Sequence, residues 1–228
     1  MTDPADLPRV GLLVPSSNTV MERDLHRELD SVAEVHTARM YMVDTTRTGE
    51  QRMLDEEALP AVTRVATTEP DVVVFGCTSA SSLHGQAYDD RFRQRLSEAA
   101  GAPVLGVLSS VVEELDRMGA IALFTPYNEE LTATIAASLE AVGLRVVARR
   151  GLGIEHNFAI GRLTPDEIVK EVAAMEPSGA EAVFCSCTNL RAYEARPAIA
   201  EATGLPVFTS NQAIVSRLRH HLALTGPG

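Results

Sequence analysis

The sequence predicts an α/β protein made of two pseudo-symmetric halves, each a parallel sheet flanked by helices. Three observations predict it. Short apolar runs alternate with longer helical stretches, which is the pattern of parallel βα units. The chain also repeats itself: RVGLLVPSSNTVMERDL (9–25) resembles GAIALFTPYNEELTATI (119–135), and DVVVFGCTSAS (71–81) resembles EAVFCSCTNL (181–190). Pro15 then matches Pro126 and Cys77 matches Cys187, offsets of 111 and 110 residues. A third match, GAPVLGVLSSVVEEL (101–115) with GLPVFTSNQAIVSRL (204–218), follows in the same order. Internal repetition of this kind marks two copies of one supersecondary unit.

Each element follows from local pattern. VGLLV is a continuous apolar run suited to a strand buried on both faces. A turn follows it, and a helix opens near Thr19-Val-Met-Glu22, a sequence that fits a capping box. VHTARMYM predicts the second strand. Residues 50–68 predict a helix that Pro60 breaks or kinks. DVVVFG predicts the third strand, DDRFRQRLSEAAG a helix closed by Gly101, and PVLGV the fourth strand. The second half repeats the plan: IALF, RVVARR, AVFCS and LPVF as strands, with TPDEIVKEVAAME and NLRAYEARPAIAEATG as helices. The halves are expected to be flavodoxin-like lobes, residues 1–108 and 109–210, with a C-terminal helix over 211–228 returning to the first lobe.

Ligands of such sheets bind beyond the carboxyl ends of the strands. The repeated motifs sit there: SSN after the first strand, CTS after the third, PYN and CTN in the second half. A pseudo-two-fold axis brings all four into one cleft between the lobes. Each motif taken alone has a plainer meaning, because Ser and Asn suit helix N-caps and a free cysteine is commonly a small buried hydrophobe. Recurrence at equivalent strand ends favours a shared site. Its candidate catalytic residues are Cys77 and Cys187. Its candidate substrate-binding residues are Asn18, Thr78, Ser79, Tyr127, Thr188 and Asn189. Placed where strand gives way to helix, each thiol is expected to be favoured as thiolate by free N–H groups. Cys185 is expected to point the other way along its strand and to pack as a hydrophobe. Arg47 is expected to be solvated, and His84 and His156 are weaker candidates for general bases.

The totals exclude several classes. A net charge of −11, from 20 basic and 31 acidic residues, argues against a nucleic-acid surface. Three cysteines, two of them in a CxC, suggest neither a disulfide framework nor a thioredoxin motif. The six histidines show no zinc spacing, so no metal is expected. The acidic start MTDPADLPRV is unlike a signal peptide, and no apolar run approaches the ~20 residues that span a bilayer. A cytoplasmic protein without membrane association is expected. An anionic ligand would have to be held locally, by backbone N–H groups and by Asn, Ser, Thr and Tyr donors.

VPSSNTVMERDL, HTARM, FGCTSAS, TPYNEEL and CSCTNL together resemble the aspartate/glutamate racemase superfamily, and within it the maleate cis–trans isomerases. The resemblance implies a cofactor-independent isomerase acting on a small dicarboxylate, maleate, and forming a homo-oligomer (dimer or tetramer). It implies that Cys77 adds to the double bond as nucleophile, that Cys187 supplies and recovers a proton, and that Asn157, in the loop GIEHNFAIGRL, joins the substrate-binding residues. Sequence symmetry alone does not choose between the thiols. The acidic and histidine helpers of the amino-acid racemases are missing, since SSNT and SCTN stand in their places. Arylmalonate decarboxylases keep only the second-half cysteine, so Cys77 speaks against that chemistry. The alternatives are an amino-acid or hydantoin racemase using both thiols as acid and base, an arylmalonate-type decarboxylase, and a non-catalytic dicarboxylate sensor.

Overall fold

The computed structural model describes residues 7–224. Its elements are β1 (Arg9–Pro15), α1 (Met21–Leu29), β2 (Glu34–Met40), α2 (Arg47–Arg52), α3 (Ala58–Ala66), β3 (Val72–Phe75), α4 (Thr78–Ser82), α5 (Gln86–Ala100), β4 (Val104–Gly106) and α6 (Val107–Glu114). The second half runs β5 (Ala120–Thr125), α7 (Glu129–Glu140), β6 (Arg145–Gly151), α8 (Asn157–Ile160), α9 (Pro165–Ala173), β7 (Ala182–Cys185), α10 (Ala192–Thr203), β8 (Val207–Thr209) and α11 (Ser210–His221).

Two four-stranded sheets result, ordered β2-β1-β3-β4 and β6-β5-β7-β8. All their pairings are parallel. The central strands are apolar throughout because helices cover both faces: every residue of β3, β5 and β7 is buried. Pseudo-symmetry extends to single bonds. Gly76 N–H donates to Leu13 C=O and Ser186 N–H to Phe124 C=O, each at 2.8 Å, locking the end of the third strand of each sheet beside the first.

Strand order reverses between β1 and β3 and again between β5 and β7. Such switch points open a crevice at the carboxyl edge, since the connections leave in opposite directions. Asn18 and Cys77 leave one crevice; Tyr127 and Cys187 leave the other. At Gly76 a Cβ would lie 2.8 Å from Leu13 C=O and 2.7 Å from Met21 Sδ, so only glycine lets the chain turn there into Cys77.

Local details depart from expectation in three places. Thr19 does not cap α1. The Asn18 carboxamide does, accepting from Val20 N–H and Met21 N–H at 3.0 Å each, while Glu22 pairs with Arg39. Pro60 neither breaks nor kinks its helix outright: a π-turn over Met53–Glu57 precedes it. The wider turn relieves the clash between a proline ring and the preceding turn's carbonyl. The expected helix over 211–228 is a helix over Ser210–His221, and residues 225–228 lie outside those described. α11 follows β8 yet packs against α6 and α1 of the first half. Among the described residues no helix is long and apolar enough to cross a membrane.

Candidate active site

The two halves meet through the turns that follow β1, β3, β5 and β7. Asn18 Nδ2 donates to Thr188 Oγ1 at 3.0 Å, and that hydroxyl donates onward to Gly76 C=O at 3.0 Å. A single hydroxyl therefore joins the residue before Cys77 to the residue after Cys187. Asn189 adds a second clasp, accepting from Thr19 N–H at 2.8 Å and donating to Asn157 C=O at 2.6 Å. Asn157 Nδ2 donates in turn to Ser17 Oγ at 2.8 Å. Over this layer the segment 43–45 pairs with 155–157, through Thr45 N–H to Glu155 C=O at 2.6 Å and Asn157 N–H to Val43 C=O at 2.9 Å.

All nine predicted site residues lie in this one cluster, and each is at most 4% exposed. Their side chains divide by task. Thr78 donates to Ser210 Oγ at 2.9 Å, and Asn189 is fully used between the lobes, so these two build the site's walls. Thr188 is spent in the same way. Ser79 gives its hydroxyl hydrogen to Glu50. Asn18 spends its carbonyl on capping α1 and one amide hydrogen on Thr188, which leaves its second amide hydrogen over. Tyr127, 2% exposed, lies beside Cys187, and its hydroxyl acts to lower that thiol's pKa.

The thiols are not held as thiolates. Backbone N–H groups do approach both sulfurs: Asn189 N–H reaches Cys187 Sγ at 3.2 Å, and Ala80 N–H acts on Cys77. Their pull is outweighed by burial, which pushes Cys187 up to about 12 and Cys77 higher still, with Glu50 adding to the rise. The groups acting most strongly on the two thiols include no Lys or Arg. Each sulfur feels the same Glu50, and Cys187 acts on Cys77, which places both thiols in one electrostatic neighbourhood. Cys185 is fully buried and its thiol is raised by desolvation alone, with none of the site's charged groups acting on it.

Glu50 is the residue that sequence reasoning missed. It lies on α2, 0% exposed, with burial pushing its carboxyl up to about 8. Nothing in RTGEQR distinguishes it from a surface glutamate. Arg47 is not simply solvated either: it reaches from α2 across to Glu130 at 2.7 Å and Thr134 at 3.1 Å on α7. At its exposure that pair is worth under about 1 kcal/mol. His84 and His156 are exposed, His84 bonding to Gln51, and neither is among the groups acting on a thiol. Among the described residues no group of three or more His, Cys, Asp or Glu is placed to hold a metal ion.

A symmetric pair of buried cysteines after the third strand of each sheet narrows the possible families. The sequence profile of one family, arylmalonate decarboxylase, matches residues 10–225 of the 228. The chain belongs to the arylmalonate decarboxylase family. Within reach of that family, the chain is similar to the maleate isomerase of Geobacillus stearothermophilus, 28% identical over 232 residues that cover 95% of this chain and 92% of the relative. It is also similar to the maleate isomerase of Pseudomonas putida, 29% identical over 217 residues, 89% and 86% of the two chains. The solved maleate cis–trans isomerase of Nocardia farcinica, a cysteine-to-serine variant with a covalently bound succinylcysteine intermediate, shares the fold. Its TM-score is 0.89 at 24% identity, covering 96% of this chain and 94% of that one. The resemblance drawn from the motifs, and the two-sheet architecture drawn from the repeat, are both borne out.

In this arylmalonate decarboxylase family member Asn189 holds the cleft closed, so it makes a measurable demand on stability. Asn189→Ala leaves the part-buried Thr19 N–H and the buried Asn157 C=O without partners. Unfolding in urea is expected to show a loss of about 2–3 kcal/mol at unchanged m-value. A loss below about 0.5 kcal/mol would show that the clasp adds nothing to the lobe interface.

Proposed function

We propose that this protein is a maleate cis–trans isomerase that works through a covalent succinyl-cysteine and needs no cofactor. The observation that carries the reading is the pair of buried cysteines, Cys77 and Cys187, brought to one cleft by equivalent strand ends. The similarity to enzymes named maleate isomerase over nearly the whole chain supports it.

Chemistry follows from the protonation states. Cys187, pushed up to about 12, is a thiol at neutral pH and suits the role of acid. Cys77, once its proton is removed, adds through sulfur to one alkene carbon of maleate. The π electrons pass to the neighbouring carbon, which takes the proton of Cys187. The former double bond is now single and turns. Cys187, as thiolate, then removes a proton from that carbon, the carbon–sulfur bond breaks, and fumarate leaves with the Cys77 thiolate restored. Forming the carbon–sulfur bond is itself what breaks the π bond, so no external electron sink is required. Asn18, with its second amide hydrogen, orients a carboxylate, and Tyr127 donates toward the enolate-like oxygen that develops after addition. A dianion is accepted by neutral dipoles, which matters in a chain whose net charge is −11. Because the sulfurs are nearly sealed from solvent, binding requires the cleft to open.

The test is direct. Purified protein incubated in heavy water with maleate, and in parallel with L-aspartate, is expected to yield fumarate from the first and to leave the second unchanged. Deuterium at the Cα of aspartate with loss of optical activity, and no fumarate, would establish a racemase instead. Ligand binding without any turnover would establish a sensor.

A further inference from the structure

We propose that Glu50 is the proton acceptor for Cys77, acting through the Ser79 hydroxyl, so that thiol and carboxyl hold one negative charge between them. The inference rests on the reading of Cys77 as nucleophile. It addresses what that reading leaves open: a thiol buried without a cation nearby must hand its proton to something.

Three atoms stand in sequence. Cys77 Sγ lies 3.7 Å from Ser79 Oγ, and Ser79 Oγ donates to Glu50 Oε1. The second carboxylate oxygen, Oε2, is buried and has no hydrogen-bond partner. A carboxyl kept only to tie two helices together would have both oxygens satisfied, or would be an amide, because an unpaired buried oxygen is costly. Four charged or titratable groups face Glu50. They are Arg47 on its own helix, Cys77 at the β3–α4 junction, Tyr127 after β5 and Cys187 after β7. Arg47 is occupied by Glu130 and Thr134. Tyr127 is held well above its ordinary value and Cys187 at about 12, both by burial first. Of this set, Glu50 alone changes charge near neutrality, at about 8.

The step balances internally. The proton of the Cys77 thiol moves to Ser79 Oγ while the Ser79 proton moves to Glu50 Oε1. The S–H bonding pair stays on sulfur as the nucleophilic pair, and the negative charge passes from carboxylate to thiolate. Expulsion of the thiolate from the product lets both protons return. Isomerisation consumes no protons, so one proton parked on the carboxyl serves cycle after cycle without leaving the closed cleft.

Shared charge has a distinctive pH signature. Below about pH 8 both groups are protonated, and the reactive thiolate population rises tenfold per pH unit. Above it the pair has lost one of its two protons and shares the other, and the fraction with charge on sulfur stays level. A buried thiol with a neutral neighbour shows no such plateau until its own, much higher pKa.

The experiment measures alkylation of Cys77 by iodoacetamide from about pH 6 to 10, read by peptide mass with Cys185 and Cys187 followed in the same digest. The unmodified protein is expected to level off near pH 8, while Glu50→Gln keeps rising and overtakes it by roughly tenfold or more near pH 9.5. Parallel profiles for the two proteins would overturn the proposal. Ser79→Ala leaves the charges but cuts the path. It is expected to lower kcat on maleate by ~100-fold with KM changed less than about threefold. Unchanged kcat in Ser79→Ala would equally overturn it. Alkylation needs no maleate, so the two readings fail separately. A plateau lost in Glu50→Gln without any fumarate formation would spare the relay and reject the isomerase. Fumarate formation with parallel alkylation profiles would do the opposite.

Discussion

Replacing Cys77 by alanine is expected to remove maleate turnover by at least ~10⁴-fold, because in the proposed mechanism the π bond is broken only by forming a bond to sulfur. No neighbour can substitute. Ser79 is a far weaker nucleophile and its hydroxyl is directed to Glu50. Cys187 is approached by Asn189 N–H and Tyr127 but has no carboxyl-linked path of its own. The variant should still fold, since a small side chain at 4% exposure leaves only a small cavity. Fumarate appearance by chromatography and unfolding midpoint, measured on the same sample, separate a chemical loss from a structural one. Turnover within tenfold of the unmodified enzyme would remove Cys77 from the mechanism.

Cys187→Ala is expected to behave differently, losing ~10³-fold in steady-state turnover while accumulating a succinyl thioether on Cys77. Addition by Cys77 remains possible, and a proton from water can complete the adduct slowly. What is lost, in the proposed mechanism, is the base that must take a proton from carbon before the carbon–sulfur bond can break. Intact mass should show a gain of one maleic acid, mapped to the peptide containing Cys77. The acid limb of the rate profile should not follow Cys187 in the unmodified enzyme, because burial at about 12 keeps that thiol protonated throughout the neutral range. Full turnover without adduct would assign the proton to another donor, with Tyr127, buried beside Cys187, the group to examine next.

The two variants also discriminate within the family. A decarboxylase needs one cysteine to protonate a carbanion. Two non-equivalent losses, one of bond formation and one of bond release, are expected only where both thiols take part in a single cycle.

How much was legible in the chain differs from residue to residue. Apolar runs separated by helical stretches, and their repetition at nearly constant offset, determined two parallel sheets of one strand order. The physical reason is that strand burial and βα connection leave their mark on consecutive residues. The same repetition brought Cys77 and Cys187 together, and the cap chemistry of SSN and PYN was visible for the same local cause: Asn18 and Asn128 each accept from an N–H three residues on. Tertiary structure decided the rest. Which of Thr78, Ser79, Thr188 and Asn189 clasp the lobes depends on what stands opposite, and no pattern along the chain records that. Glu50 meets Ser79 across 29 residues, from a helix whose sequence is polar on every side. The protonation of the thiols turned on a balance: N–H groups readable from sequence pull the pKa down, while burial, which is a property of the whole packed cleft, pushes it up by more. Local signals run along the chain, whereas desolvation depends on everything around a group, and in this protein desolvation sets the chemistry.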